Sequence, residues 1–340
     1  MAGSWSQFGG SGNMADVEAG TRWLRLRRAP TGYGKKMARG PLDPGESLRG
    51  RLHHITAAIE RSKSVEDVGA PIHTMAIKLI RNGALKDALS GTWLGHPLHP
   101  LLVAIPIGSW VGASVLDITP GDNSAATRRL VGLGILSAMP AVLAGVSDWS
   151  DTSGAEQRVG AVHLGLNLAA LTLYAGSWIQ RRKSDGAGML LALAGGALMG
   201  AAGYLGGHLA YGLGVGTDTN SFQTGPQEWQ PLCDETLVKD GVPHAVSAAG
   251  VSLLVLEQEG RIHVLANRCT HRGAPLSEGE LDRTCITCPW HGSVFYLESG
   301  EIRRGPATQP QPVYEVRVVD GSIEVRRVEP RSLRTNSVGV

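Results

Sequence analysis

Cysteine is scarce in this chain: its 340 residues include four, Cys233, Cys269, Cys285 and Cys288, and the last three fall within twenty positions. That distribution excludes the disulfide framework of a small secreted protein and leaves a metal site as the better reading. Excess charge is missing too. Lys and Arg number 32 against 30 Asp and Glu, a net +2 that is neither large nor gathered on one face, so nothing points to a nucleic-acid partner. No apolar run follows Arg27 and Arg28, where Ala29, Pro30, Thr31 and Gly32 come next, and a twin-arginine export signal is therefore not expected. Histidine is absent after His291, among the last 49 residues.

What is present is unevenly distributed. Two or three domains are expected at this length, and a mean hydropathy near zero hides an apolar middle between polar ends. Residues 1–41, with Gly and Ser clusters and Arg22, Arg25, Arg27, Arg28, Lys35, Lys36 and Arg39, read as a disordered basic tail in which Met14 and Met37 are alternative starts. Residues 42–92 read as two amphipathic helices, one carrying Leu48, Leu52, Ile55 and Ile59 and the next running through Met75, Ile77, Leu79, Ile80, Leu85 and Leu89. Within 93–212 lie four stretches almost free of charge, Leu101 to Leu116, Leu130 to Ser147, Val159 to Gln180 and Gly186 to Tyr211. A bilayer core about 30 Å thick takes roughly 17–25 apolar residues as helix, which predicts a four-transmembrane-helix α domain in contact with membrane lipid rather than a buried soluble bundle. Gly196, Gly200, Gly203 and Gly207 are expected to form a small-residue stripe for close helix contact. A polar linker at 213–230 leads to 231–328, whose short alternating runs and an Asp320-Gly321 hairpin predict a small all-β domain, and 329–340 reads as a disordered tail.

The chemistry-bearing pattern lies in that β domain. Cys269-Thr270-His271 and Cys288-Pro289-Trp290-His291 are separated by sixteen residues, each pair mixing one thiol with one imidazole. Two thiolates and two neutral imidazoles suit a two-iron sulfide-bridged centre, the imidazoles making it less negative and easier to reduce. A structural zinc site uses the same ligand types but ordinarily as Cys-x-x-Cys or His-x(3–5)-His pairs. Cys285, three positions before Cys288, is read as a buried strand residue, and Cys233 as core or linker.

This spacing resembles the Rieske family closely. The resemblance implies an antiparallel β sandwich with cluster-binding loops, a [2Fe-2S] cluster on Cys269, His271, Cys288 and His291, and one-electron transfer. It also implies that Ala274 and Trp290 occupy the positions of the disulfide of cytochrome bc-type members, that Ser293 matches a cluster-bonding serine, and that Phe295 stands where a second hydroxyl donor would be. Hydrogen bonds to the sulfurs raise the potential, so the ferredoxin-like type is expected. The segment Gly305-Pro306 with Pro310 and Pro312 fits the family's covering loops.

Gly95-His96-Pro97-Leu98-His99-Pro100-Leu101, Ser147-Asp148-Trp149, His163 to Asn167 and Gly206-Gly207-His208 resemble a bacterial four-helix membrane family of unknown function that is often fused to a C-terminal Rieske domain. Following the spans back and forth puts His96, His99, Asp148, His163 and His208 on the membrane face from which the Rieske domain leaves. Ionisable groups there prompt a functional hypothesis, a second redox site in which His163 and His208 hold haem b or bind quinone, against interfacial caps and hydrogen bonds. Basic residues in the short loops do not decide orientation. Cytosolic cluster assembly and the lack of an export signal predict a Rieske domain on the cytoplasmic side of a bacterial cell membrane. The resulting expectation is a membrane-bound electron carrier serving a redox partner protein or quinone. The alternatives are the iron-sulfur subunit of a quinol or haem-linked oxidoreductase and a non-catalytic redox-sensing or anchoring module. A Rieske oxygenase would need further histidines after His291 for a mononuclear iron.

Overall fold

The computed structural model describes residues 47–81 and 83–327; the tails expected at 1–41 and 329–340 lie outside the described residues. Three helices precede the apolar region: α1 (Leu48–Glu60), α2 (Lys63–Leu79) and α3 (Ala84–Ser90). The run from Met75 to Leu89, expected to be one helix, breaks after Leu79, and Gly83 takes a φ of 138° that a side chain would resist. Ser62 caps α2, its Oγ accepting from the Val65 N–H at 3.3 Å. The face that α2 buries is not its large apolar one. Gly69, His73 and Ala76 point inward while Val68, Met75 and Leu79 are exposed, because Gly69 lies so close to Ala161 that a Cβ would meet its methyl at 2.9 Å.

Four helices long and apolar enough to cross a membrane follow: Leu98–Ile118, Ser124–Trp149, Gly154–Gln180 and Asp185–Gly212. The first is interrupted at Val103, giving α4 (Leu98–Leu102) and α5 (Ala104–Ile118). Pro106 has no N–H to offer the Leu102 carbonyl, and its ring crowds that group. The next are α6 (Ser124–Trp149), α7 (Gly154–Gln180) and α8 (Asp185–Gly207), the last continuing as a π turn at His208–Gly212. Large side chains such as Leu136, Leu190 and Ile118 project outward, a surface suited to apolar surroundings. Inside, Trp110 and Tyr174 stack with ring centroids 4.0 Å apart, and Gly134 leaves room for the indole.

The stripe on α8 that meets α7 is offset from the one expected. Gly188, Ala192, Gly195 and Ala202 are buried; of the expected row, Gly196 faces α7, where a Cβ would meet Tyr174 Oη at 3.4 Å, whereas a Cβ at Gly200, Gly203 or Gly207 would touch nothing within 4 Å. Both rows have helical spacing, and spacing alone does not say which row faces a neighbour.

The C-terminal domain is antiparallel β: β1 (Gln230–Asp234), β2 (His244–Ala248), β3 (Val251–Gln258), β4 (Arg261–Ala266), β5 (Glu280–Asp282), β6 (Cys285–Thr287), β7 (Val294–Tyr296), β8 (Ile302–Arg304), β9 (Tyr314–Val319) and β10 (Ser322–Arg327). They form sheets ordered β1-β10-β9, β2-β3-β4 and β5-β6-β7-β8. Asp320 and Gly321, at φ 50° and 80°, close the β9–β10 hairpin. β3 is the shared wall. Leu253 and Val255 pack into one core with Val264, Ile323 and Val325, while Leu254 and Leu256 face a second core containing Cys269, Cys288, Ile286 and Phe295. A strand buried on both faces loses the apolar-polar alternation expected of the short runs in 231–328.

Candidate metal centre

Two tight turns carry the paired thiols and imidazoles. In the first, the Cys269 N–H donates to the Ala274 carbonyl and the Gly273 N–H to the Cys269 carbonyl, both at 2.8 Å. The second mirrors it, with Cys288 N–H donating to Ser293 O at 2.7 Å and Gly292 N–H to Cys288 O at 3.1 Å. Gln311, buried beside the first turn, donates through Nε2 to the carbonyls of Ala266 at 2.6 Å and Arg268 at 2.7 Å and accepts the Thr270 N–H at 3.1 Å. Gln311 is a single polar residue between prolines, with no motif around it to mark its role.

These turns bring all four side chains into one pocket. The Cys269 and Cys288 thiols share a hydrogen bond. The imidazoles of His271 and His291 meet edge to face, with centroids 5.0 Å apart and planes at 89°. The Nδ1 atoms of both histidines are buried and have no hydrogen-bond partner. Two orphaned nitrogens in one pocket are costly unless something accepts their lone pairs. Burial lowers the imidazole pKa values, that of His271 to about 4, so both rings are neutral bases at physiological pH. The shared bond pushes the Cys269 thiol well up and pulls Cys288 down to about 7. Neutral imidazoles are the state that metal ligation demands, and of the two thiols Cys288 is the more readily ionised. Among the described residues no three His, Cys, Asp or Glu side chains close on one ion. The four groups stand two and two, which fits a centre of two irons.

Around the pocket, Ser293 is buried, and its Oγ accepts the Ala307 N–H at 3.0 Å. Its own hydrogen has no protein acceptor among the described residues. Phe295 is fully buried in the core behind the thiols. Cys285 is also buried but lies outside the pocket, its Sγ near Arg303 Nη1 at 3.7 Å and Thr284 Oγ1 at 3.8 Å. Trp290 is exposed beside His291, and Ala274 is buried.

The helical domain closes over this end of the β domain. Asp87 Oδ1 accepts the Gly305 N–H at 3.0 Å, Thr92 Oγ1 donates to Ala307 O at 3.1 Å, and Gln309 Nε2 donates to Gly95 O. A Cβ at Gly305 would sit 2.1 Å from Thr92 Oγ1, so this approach needs glycine. At the α6–α7 corner Glu156 pairs with Arg272, and Asp151 Oδ2 lies 3.4 Å from His271 Nε2. Asp151 also pairs at 2.8 Å with the buried Lys86, whose ammonium donates to Ser147 O at 2.6 Å and Ser150 Oγ at 3.0 Å. Nothing local in the sequence marks Asp151, Glu156 or Lys86 as part of a site.

The histidines of the helical domain are engaged elsewhere. His96 is exposed. His99 Nδ1 donates to Ala141 O at 2.8 Å, and Asp148 lies near Lys86 and Asp151. His163 Nδ1 donates to Ala202 O at 2.8 Å, which leaves Nε2 to accept from Asn167 Nδ2 at 3.1 Å. His208 Nε2 bonds Glu60 Oε1 at 2.7 Å. The haem or quinone expected between His163 and His208 is therefore not supported, since both nitrogens of His163 and one of His208 are spent on protein partners.

Residues 228–315 match the family described as Rieske [2Fe-2S] domain, and residues 95–219 match the one described as predicted membrane protein (DUF2231). Ferredoxin CarAc of Metapseudomonas resinovorans is 34% identical over 100 residues, covering 29% of this chain and 94% of its own. The anthranilate 1,2-dioxygenase ferredoxin subunit of Burkholderia cepacia is 32% identical over 98 residues, covering 29% of this chain and 91% of its own. Apoptosis-inducing factor 3 of Mus musculus is 27% identical over 95 residues, but the match takes in 28% of this chain and only 16% of that protein, most of which lies outside it.

Proposed function

Because the chain belongs to the Rieske [2Fe-2S] family, we propose that it is a membrane-bound iron-sulfur protein that passes single electrons between a donor and a partner oxidoreductase. The observation that carries this reading is the pair of buried, unpartnered Nδ1 atoms of His271 and His291 beside the Cys269 and Cys288 thiols. We assign the two imidazoles to one iron and the two thiolates to the other. When bound, the cluster supplies one reversible electron per cycle and no bond chemistry. The protein's part is to hold the ligands on two pinned turns, exclude water from the thiols and present hydrogen-bond donors. Two of the matched relatives are ferredoxins, one of them the ferredoxin subunit of an anthranilate 1,2-dioxygenase, which supports a partner enzyme that consumes single electrons. The four apolar helices anchor the chain in lipid.

The potential belongs in the lower half of the Rieske range of roughly −150 to +300 mV, because Phe295 replaces a hydroxyl donor and no disulfide joins Ala274 to Trp290. Ser293→Ala should lower the midpoint further and Phe295→Tyr should raise it, both read by redox titration. A wild-type midpoint near the top of the range would show that other groups control it.

We place the Rieske domain on the cytoplasmic side, where such clusters are assembled. A reporter that works only in the cytosol should be active when fused after Val340; activity there of a reporter restricted to the outside would reverse the orientation.

A further inference from the structure

The edge of the cluster pocket that faces away from the thiols is covered by an ion pair of the helical domain. His271 Nδ1 points into the pocket, which leaves its hydrogen on Nε2, and Asp151 Oδ2 stands 3.4 Å from that atom. The contact is one of charge with an imidazole rather than a hydrogen bond, so the carboxylate acts on the ligand through its field. The carboxylate is enclosed: side-chain exposure is 10% for Asp151, 15% for His271 and 2% for Lys86. Charges separated by so little distance in such surroundings are screened far less than at a surface.

We propose that Asp151 is a positioning residue through which the helical domain lowers the potential of the Rieske centre, with Lys86 offsetting part of its charge. The proposal rests on the assignment of His271 as a ligand. Reduction adds one electron to the centre, and a fixed carboxylate behind the ligand imidazole opposes that added negative charge. Lys86 is held 2.8 Å from Asp151 by its bonds to Ser147 O and Ser150 Oγ, and its positive charge favours reduction and offsets part of the carboxylate's effect. The docking bonds of Asp87, Thr92 and Gln309 to the 305–309 segment and of Glu156 to Arg272 keep the two domains in this register. The helical domain would then be an electrostatic part of the redox centre as well as its anchor.

The test is a mediated dithionite titration of the detergent-solubilised full-length protein, followed by electron paramagnetic resonance. Asp151→Asn should shift the midpoint upward and change the quadrupole coupling of the remote imidazole nitrogen. Lys86→Met should shift it downward. Thr92→Val removes the 3.1 Å docking bond without changing charge and should leave it in place. An unshifted midpoint in Asp151→Asn with the signal intact overturns the proposal, as does an equal upward shift in Thr92→Val, which would make docking alone the cause. If Asp151→Asn does not accumulate, Lys86→Met decides: a lower midpoint supports the proposal, and an unchanged or higher one overturns it. A wild-type protein with no Rieske signal is a different result, which removes the ligand assignment and this proposal with it.

Discussion

Cys288→Ser and His291→Ala should each abolish the Rieske signal of the reduced protein, whereas Cys285→Ser should retain it at full intensity. Cys288 and His291 share a turn closed by the 2.7 Å bond from Cys288 N–H to Ser293 O, and both side chains face the pocket. On the proposed assignment, removing either takes one of the two protein ligands from its iron. Cys285 is three residues away in sequence and equally buried, but it sits on β6 with its sulfur toward Arg303 and Thr284. Iron and acid-labile sulfide measured alongside the spectrum separate loss of the cluster from a change in its magnetism. Retention of the signal in Cys288→Ser with its loss in Cys285→Ser would mean that the wrong thiolate has been assigned.

Arg181→Met should destabilise the helical domain by about 3–5 kcal/mol, the loss typical when one member of a buried ion pair is removed. The guanidinium is forked onto Asp117, Nη1 to Oδ1 at 2.8 Å and Nη2 to Oδ2 at 2.6 Å, with side-chain exposures of 1% and 10%. It also donates to Ser177 Oγ at 3.2 Å and lies against Gly188, tying the end of α5 to the end of α7 and the start of α8. Truncation strands a carboxylate without a counter-charge, and much of the loss comes from that group rather than from the bond itself. The double variant Arg181→Met/Asp117→Leu should therefore recover most of the stability. Thermal unfolding in one detergent, compared across the single and double variants, reads this directly. A loss within about 1 kcal/mol, as for a solvent-exposed pair, would show that water reaches this end of the bundle.

The parts of this protein that could be read from sequence are those whose information is local. Each Cys-His pair lies within four positions, so its ligand chemistry shows in the string, and four long apolar runs announce helices of membrane-spanning length. The Asp320-Gly321 turn is local in the same way, since positive φ at successive positions selects those residue types. What could not be read depends on tertiary contact. Two small-residue rows run along α8, and only the packed bundle shows that the row of Gly188, Ala192 and Gly195 faces α7. The polar groups of His163 had to be satisfied somewhere, and the partners are a carbonyl 39 positions away and Asn167 one turn along. Asp151 reaches His271 across the domain boundary, and Lys86 reaches Asp151 from α3, separations over which a sequence pattern carries no signal.

The central claim is a two-iron centre on Cys269, His271, Cys288 and His291, and anaerobic electron paramagnetic resonance of the dithionite-reduced, detergent-purified protein tests it most directly. The assignment predicts a rhombic signal whose average g lies below the free-electron value, low in the manner of a Rieske centre, accompanied by two irons and two sulfides per chain. Stoichiometric zinc with neither iron nor sulfide, or an iron-sulfur signal with the higher average g of an all-cysteine cluster, would contradict it.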